Sequence, residues 1–176
     1  IFPSKLKIAK VLPIHKKDID NVFSNYRPIS VLPSISKVFE RVIHNQLYKY
    51  FIEQNLFFDS QYGFRCNHST ELAALEIVDR LIVAMDNKEI PLNVYLDLSK
   101  AFDTLDHQIL LKKLEYYGLR GTSLNLMQNY LHGRKQYVLF NEITSDLLPI
   151  KTGVPQGSIL GPLLFVIYMN DIINAC

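Results

Sequence analysis

The chain has 176 residues, 48% hydrophobic and 20% charged, a composition that buries a core and excludes a disordered tail. With 19 Lys+Arg against 17 Asp+Glu the net charge is only +2, so bulk charge announces no polyanionic partner. Two cysteines, Cys66 and Cys176, exclude a disulfide scaffold and the common zinc-ligand patterns. In chain order, residues 6–14 read as β, with Pro13 confining the segment to an edge or a strand end. Ser34 to Phe51 carries Ile35, Val38, Phe39, Val42, Ile43, Leu47, Tyr50 and Phe51, a helix stripe with Ser34 as its N-cap behind Pro33. Gln61–Arg65 is irregular around Gly63, and a second helix runs from about Ser69 to Met85 with Leu75, Val78, Ile82 and Met85 on one face. Leu92 to Leu98 alternates, with Val94, Leu96 and Leu98 on one face and Asn93, Tyr95 and Asp97 on the other, which predicts a strand. Helices follow at Asp106–Tyr117 and Thr122–His132, closed by Gly118 and Gly133. Gln136–Asn141 and Leu147–Thr152 read as paired strands across a Glu142–Asp146 turn. The last helix lies within Ile159–Ile173, with Pro162 in its first turn.

Local charge says more than the total. Lys5, Lys7, Lys10, Lys16 and Lys17 all precede the first acidic residue, Asp18. Interleaved with Leu6, Ile8, Val11 and Ile14, they suggest strands that present lysines to phosphates. A solvated edge strand guarded by lysines against aggregation gives the same pattern. The longest apolar run, Ile159 to Met169, is broken by Gly161–Pro162 and falls short of the ~20 residues of a membrane span, so no membrane partner is expected. No basic-then-apolar leader is present, so no secretory signal is expected. The opening Ile and the closing Asn-Ala-Cys read as an excerpt from a longer frame.

Two segments could carry chemistry. Asp97 would sit at a strand end ahead of a turn and an aromatic, a common way to offer a carboxylate to a divalent cation. Asp103 and Asp106 read more simply as turn and N-cap residues of the next helix. Gly153-Val154-Pro155-Gln156-Gly157-Ser158 places two glycines and a proline between strand and helix, with Gln156 offering a donor and an acceptor in the bend. It could also be only a connection.

Together these phrases resemble the reverse transcriptase domain of non-LTR (LINE-type, Jockey/CR1-like) retrotransposons. The matching runs, in family order, are Ala9–Lys17, Asn25–Ser30, Gln61–Arg65 with Ser69-Thr70, Leu96–Asp103, and Gly153–Ser158 with Pro162–Phe165. The resemblance implies an α+β fold of fingers and partial palm on a helix-backed antiparallel sheet. It divides the chain into fingers at 1–90, palm at 91–118, a returning fingers segment at 119–150, and palm again at 151–176. It implies an RNA-directed DNA polymerase that joins a dNTP to a primer 3′-hydroxyl through two Mg²⁺ ions, with Mn²⁺ as an alternative. Asp97 matches the first catalytic carboxylate, with the Leu98 carbonyl as a further metal ligand. Phe102 matches the bulky residue beneath the sugar, where a 2′-hydroxyl would collide.

Lys16 and Arg27 match the pair that grips the triphosphate, the lysine role being open to a one-residue slip onto Lys17. Gln156 and Gly157 match the loop beside the nucleotide. Lys10, Lys17 and Arg65 are expected nucleic-acid contacts, with bracing of the fingers the other role open to Arg65. The implied partners are an RNA template, a DNA primer and dNTPs, in an intracellular setting, nucleus or cytoplasm. The family's aromatic-Ala-Asp-Asp hairpin is expected after Asn170-Asp171-Ile172, and Asp171 is not part of it. One carboxylate where the chemistry wants about three predicts an inactive fragment. The other reading is a non-catalytic nucleic-acid-binding remnant of a decayed or domesticated element, and a weaker one is a group II intron maturase or telomerase-like relative.

Overall fold

The structure is a computed structural model and describes residues 1–16, 19 and 21–175, so the expectations for Lys17 and Cys176 lie outside the described residues. A 3₁₀ turn at Ser4–Lys7 leads into β1 (Ile8–His15), then β2 (Tyr26–Val31), α1 (Ser34–Glu53) and α2 (Thr70–Asp86). The chain continues through α3 (His107–Tyr116), α4 (Gly121–Leu131), β3 (Lys135–Phe140), β4 (Ile143–Thr144), β5 (Leu148–Pro149) and α5 (Leu160–Met169). No described helix is long and apolar enough to cross a membrane.

The α+β class is as expected, but the sheet is mixed. β1 and β2 form an antiparallel hairpin in register from Lys10↔Val31 to His15↔Tyr26. β1 and β3 are parallel, from Ile8↔Lys135 to Val11↔Val138, which corrects the expectation of a wholly antiparallel sheet. The reason is the connection: four helices separate the two strands, long enough to bring the chain back in its original direction. β3 pairs with β1 only as far as Val11, so among the described residues the second half of β1 has a neighbouring strand on one side alone. Pro13 lies in that half, opposite Pro28 of the edge strand β2, where a missing N–H costs least.

Three further expectations are corrected. Leu92–Leu98 forms no strand; Val94 and Leu96 are 72% and 76% exposed. Its alternation marks two faces, but a strand also needs a neighbour for its N–H and C=O groups, and no described strand lies beside it. The Glu142–Asp146 turn is tighter than expected. Asn141 and Glu142, with φ of 46° and 67°, reverse the chain in two residues and let Ile143 pair with Phe140. Ser34 is the first residue of α1, not its cap: Pro33 holds that position and its carbonyl takes the Ser36 N–H at 2.9 Å.

α1 also turns an unexpected face inward. The buried line is Ser36, Glu40, Leu47 and Phe51, while Ile35, Val38 and Val42 of the apolar stripe stay more than half exposed. α2 keeps its stripe, yet none of its residues is buried; Leu75, Val78, Ile82 and Met85 face outward. Its start is set locally by Ser69, whose Oγ accepts the Leu72 N–H at 3.3 Å. α3 is capped as expected by Asp106, whose carboxylate accepts from the Gln108 and Ile109 N–H groups at 2.8 and 2.9 Å.

The core lies where α5 packs on α1 and α3, and α3 on α4. Leu110, Leu114, Leu131, Leu160, Leu164 and Ile167 are fully sealed there. Inside it stands a carboxylate. Glu40 is wholly buried; it accepts the Ile159 N–H at the start of α5 at 2.7 Å and the Tyr130 O–H of α4 at 3.1 Å. Burial, more than this carboxylate, pushes the Tyr130 hydroxyl pKa well up, so Tyr130 stays a donor. Glu40→Ala takes the acceptor from both of these donors and from the buried Ser36 hydroxyl, 3.4 Å away, and is expected to cost on the order of 2–4 kcal/mol of stability. Urea denaturation of the wild type and variant measures it; an unchanged midpoint would mean that neither bond matters.

Candidate functional site

The site is built by docking one loop between two older pieces of the fold. After β5 the chain meets the 100–106 turn. The Gly153 N–H donates to the Leu105 carbonyl at 2.7 Å and the Val154 N–H to the Phe102 carbonyl at 2.8 Å. A ring nitrogen of buried His107, Nε2, lies 2.7 Å from the Gly153 carbonyl, and since that oxygen only accepts, the imidazole donates. Gly153 has φ +81°, and a Cβ there would lie 2.7 Å from the Asp103 Cα and from the Phe102 and Asp103 carbonyl oxygens.

On its other side the loop meets β2. The Ser30 N–H donates to the Gln156 carbonyl at 2.8 Å. Gly157, at φ +129°, comes so close that a Cβ would stand 2.5 Å from the Ser30 carbonyl oxygen. Ser158 then turns the chain into α5, its Oγ donating to the Pro155 carbonyl at 2.9 Å and accepting the Gly161 N–H at 3.0 Å. The Gln156 side chain crosses back: its Nε2 lies 3.1 Å from each carboxylate oxygen of Asp103. Between these walls opens a cavity of about 320 Å³, lined among others by Val11, Pro28, Ser30, Asp103, Gln136, Thr152 and Gln156.

The structure thus gathers Gln156 and Gly157 with the turn that carries Phe102. Phe102 is half-buried, its ring 5.1 Å from Phe165 and 6.1 Å from Phe64. Arg27 and Lys16 stay apart from the cavity. Strand alternation sets Arg27, beside Ile14, on the β2 face opposite Pro28 and Ser30, while Lys16 sits at the exposed end of the hairpin, its N–H on the Asn25 carbonyl at 2.8 Å. Lys10 shares the Arg27 face and is half-buried.

Arg65 is turned onto its own loop. Its Nη1 donates to the Phe58 carbonyl at 2.8 Å and the guanidinium lies over the Phe57 ring at 5.3 Å. Asp97 and Leu98 lie in the exposed 89–98 segment, and the Asp97 carboxylate has no hydrogen-bonding partner among the described residues. Asp171 is held by Lys113, which also donates to the Tyr168 carbonyl at 2.6 Å. With Asp103 engaged by Gln156 and Asp171 by Lys113, no group of three or more His, Cys, Asp or Glu that could hold a metal forms among the described residues. These residues therefore do not make a Mg²⁺ site by themselves.

Reading the sequence for turns and caps missed Asp103 and His107 as partners of the loop. Their partners are 53 and 46 residues away, and no local spacing signals such a pair. Of the expected nucleotide-side residues on the loop, Gln156 reaches the Phe102 turn through Asp103, while Gly157 packs on Ser30 of β2. That convergence decides the matter when set beside known proteins. The pattern of the family described as "Reverse transcriptase (RNA-dependent DNA polymerase)" matches residues 14–176.

The chain belongs to the reverse transcriptase family.

Its relatives in Drosophila melanogaster include a probable RNA-directed DNA polymerase from transposon X-element, 37% identical over 97% of this chain and 19% of that protein. The RNA-directed DNA polymerase from mobile element jockey is 36% identical over the same shares. In Bradysia coprophila, a retrovirus-related Pol polyprotein from type-1 retrotransposable element R1 is 30% identical, over 99% of the chain and 17% of its own length. The chain thus spans about a fifth of the reverse transcriptases it matches, and its kin are those of non-LTR retrotransposons.

The two glycines make a direct test of the docked loop. Gly153→Ala and Gly157→Ala each force a Cβ into backbone at 2.7 and 2.5 Å and keep a strained positive φ, so each is expected to cost at least roughly 1–3 kcal/mol. Denaturation midpoints of the two variants report it, and wild-type midpoints would show that the loop is not docked in this way.

Proposed function

We propose that this chain is the nucleotide-handling portion of an RNA-directed DNA polymerase, which extends a DNA primer on an RNA template from dNTPs. The observation that carries the reading is the 153–157 loop, wedged between the β2 strand that bears Arg27 and the turn that bears Phe102. Three phrases of a reverse transcriptase, distant in sequence, meet there. The proposed division is fingers at 1–90 and 119–150, and palm at 91–118 and 151–176.

Each residue has a physical task in this reading. Arg27 offers a planar fork to phosphate oxygens and Lys16 a mobile point charge, both at the loop end of the hairpin. Gly157 lets backbone approach the ligand without a side chain between, and Gln156 meets the nucleotide with its amide. Phe102, set by Phe165 behind it, is the surface on which the sugar rests, and a 2′-hydroxyl is the group it would strike. Lys10 adds positive charge to the Arg27 face for the nucleic-acid backbone, an attraction that weakens as salt rises. When bound, two Mg²⁺ ions would help ionise the primer hydroxyl and offset charge on the transferred phosphate, with Asp97 and the Leu98 carbonyl offering oxygens. A single carboxylate does not hold two such ions, so residues 1–176 alone are expected to be inert.

Primer extension by the full-length protein on an RNA template tests the reading. Extension should require Mg²⁺ and dNTPs, and Asp97→Asn should abolish it while leaving primer–template binding within about twofold, because the change removes a metal ligand and no phosphate contact. Full synthesis by Asp97→Asn would remove the metal role. Binding of nucleic acid without any extension by the wild type would instead favour the non-catalytic remnant.

Two variants test the individual roles. Phe102→Val should raise the ratio of rNTP to dNTP incorporation, and an unchanged ratio removes the gate from Phe102. Arg27→Ala should raise the KM for dNTP and slow the chemical step, with Arg27→Lys recovering only part of the loss. Wild-type dNTP kinetics in the alanine variant would make Arg27 structural.

A further inference from the structure

Gln156 is the one side chain of the loop whose chemistry is two-ended. Its amide carries an acceptor, Oε1, and a donor, Nε2, of nearly equal shape, so fit alone does not decide which end faces a ligand. The neighbour decides it. A carboxylate only accepts, and both oxygens of Asp103 lie 3.1 Å from Nε2. With the amide turned over, Oε1 would face two acceptors with no proton between them. The donor end is therefore committed to Asp103, and no described donor reaches Oε1.

The frame holding this pair leaves it little freedom. The Asp103 N–H donates to the Lys100 carbonyl at 2.8 Å, and Gly153 packs directly on the Asp103 backbone. The Gln156 carbonyl is taken by the Ser30 N–H at 2.8 Å, and Gly157 presses on Ser30. Only the side-chain amide remains to be set, and both members of the pair line the cavity.

We propose that Asp103 is a positioning residue that sets the polarity of Gln156, so that a carbonyl oxygen meets the incoming nucleotide and recognises it through one of the nucleotide's own hydrogen-bond donors. The inference rests on the polymerase reading above and deepens it. The donor is a sugar hydroxyl or a base N–H. The N–H that faces Asp103 is engaged, and Oε1, which no described donor reaches, is the acceptor left for the nucleotide.

The test is a double-mutant cycle in the full-length protein, with dNTP KM, kcat, primer–template KM and Tm measured for each form. Gln156→Ala and Asp103→Ala should each raise dNTP KM about three- to tenfold, as expected for one hydrogen bond, with primer–template KM within about twofold. The double variant should be no worse than Gln156→Ala, because Asp103 has no task once the amide is gone. Gln156→Glu sets carboxylate against carboxylate and should raise dNTP KM. Combining it with Asp103→Asn should recover part of the loss, the Asn amide donating to one Glu oxygen and leaving the other as acceptor.

Nucleotide analogues identify the donor. One lacks the 3′-hydroxyl and one lacks a base N–H. Wild type should discriminate against one of them, and Gln156→Ala and Asp103→Ala should lose that discrimination together. Additive effects in the cycle, wild-type dNTP KM in Asp103→Ala, or a loss confined to Tm and primer–template KM would overturn the proposal while leaving the polymerase reading in place. Absence of any dNTP-dependent synthesis by the wild type would overturn both.

Discussion

The site depends on close backbone contact at two points, Gly153 on the 102–103 peptide and Gly157 on Ser30. Both contacts are nearer than any Cβ allows, and both glycines have the positive φ that other residues adopt only under strain. Because the loop touches the turn and the strand without side chains between, the hydrogen bonds of Gly153, Val154 and Gln156 can form at 2.7–2.8 Å. The loop is thereby the joint between the hairpin and the helical core. The positions of Gln156, Phe102 and β2 relative to one another follow from it.

A second constraint lies beneath that joint. Taking Glu40 fully out of water is costly, and its oxygens are accordingly well supplied with donors from α4 and α5. One of those donors is the Ile159 N–H, at the positive end of the α5 dipole, where a carboxylate is most favourable. Nearby, the Arg134 guanidinium is fully buried and lies over the Tyr130 ring at 4.8 Å. Burial and this positive charge together hold the Lys7 amine below its ordinary pKa. A polar web inside the core thus ties α1 and α4 to Ile159, the N-cap of α5, two residues past the site loop.

The structure is uneven in how firmly its parts are held. α5 is sealed on most sides, whereas α2 buries no residue and the 89–98 segment is exposed throughout. α2 stands mostly on local terms, a Ser69 cap, 17 residues of mostly good helix formers and a Glu76–Arg80 pair one turn apart, with the Tyr62 and Ser60 hydroxyls donating to Glu76 from outside it. Segments with few buried contacts open at the low end of the stability range, so local unfolding is expected to start in these two. They also carry several strongly exposed apolar side chains, among them Ile90 and Leu92 at 96% and 87%.

The sequence by itself determined what depends on near neighbours. All five helices, the β character of residues 8–14, the Asp106 cap and Pro162 in the first turn of α5 follow from periodicity and from the residues that begin and end helices, whereas the β2 partner of β1 was not read from the sequence. The phrases from Ala9 to Phe165 carried the family as well, because a motif is a local property. Tertiary structure decided what depends on distant partners. It turned Ser36 and Glu40 of α1 inward in place of Ile35 and Val38, since a donor from α5 and another from α4 were waiting for the carboxylate. It left Leu92–Leu98 unpaired, because alternation describes two faces and says nothing of a neighbouring strand. Asp103 became the partner of Gln156 across 53 residues, a pairing that exists only once two glycines have let the loop and the turn meet.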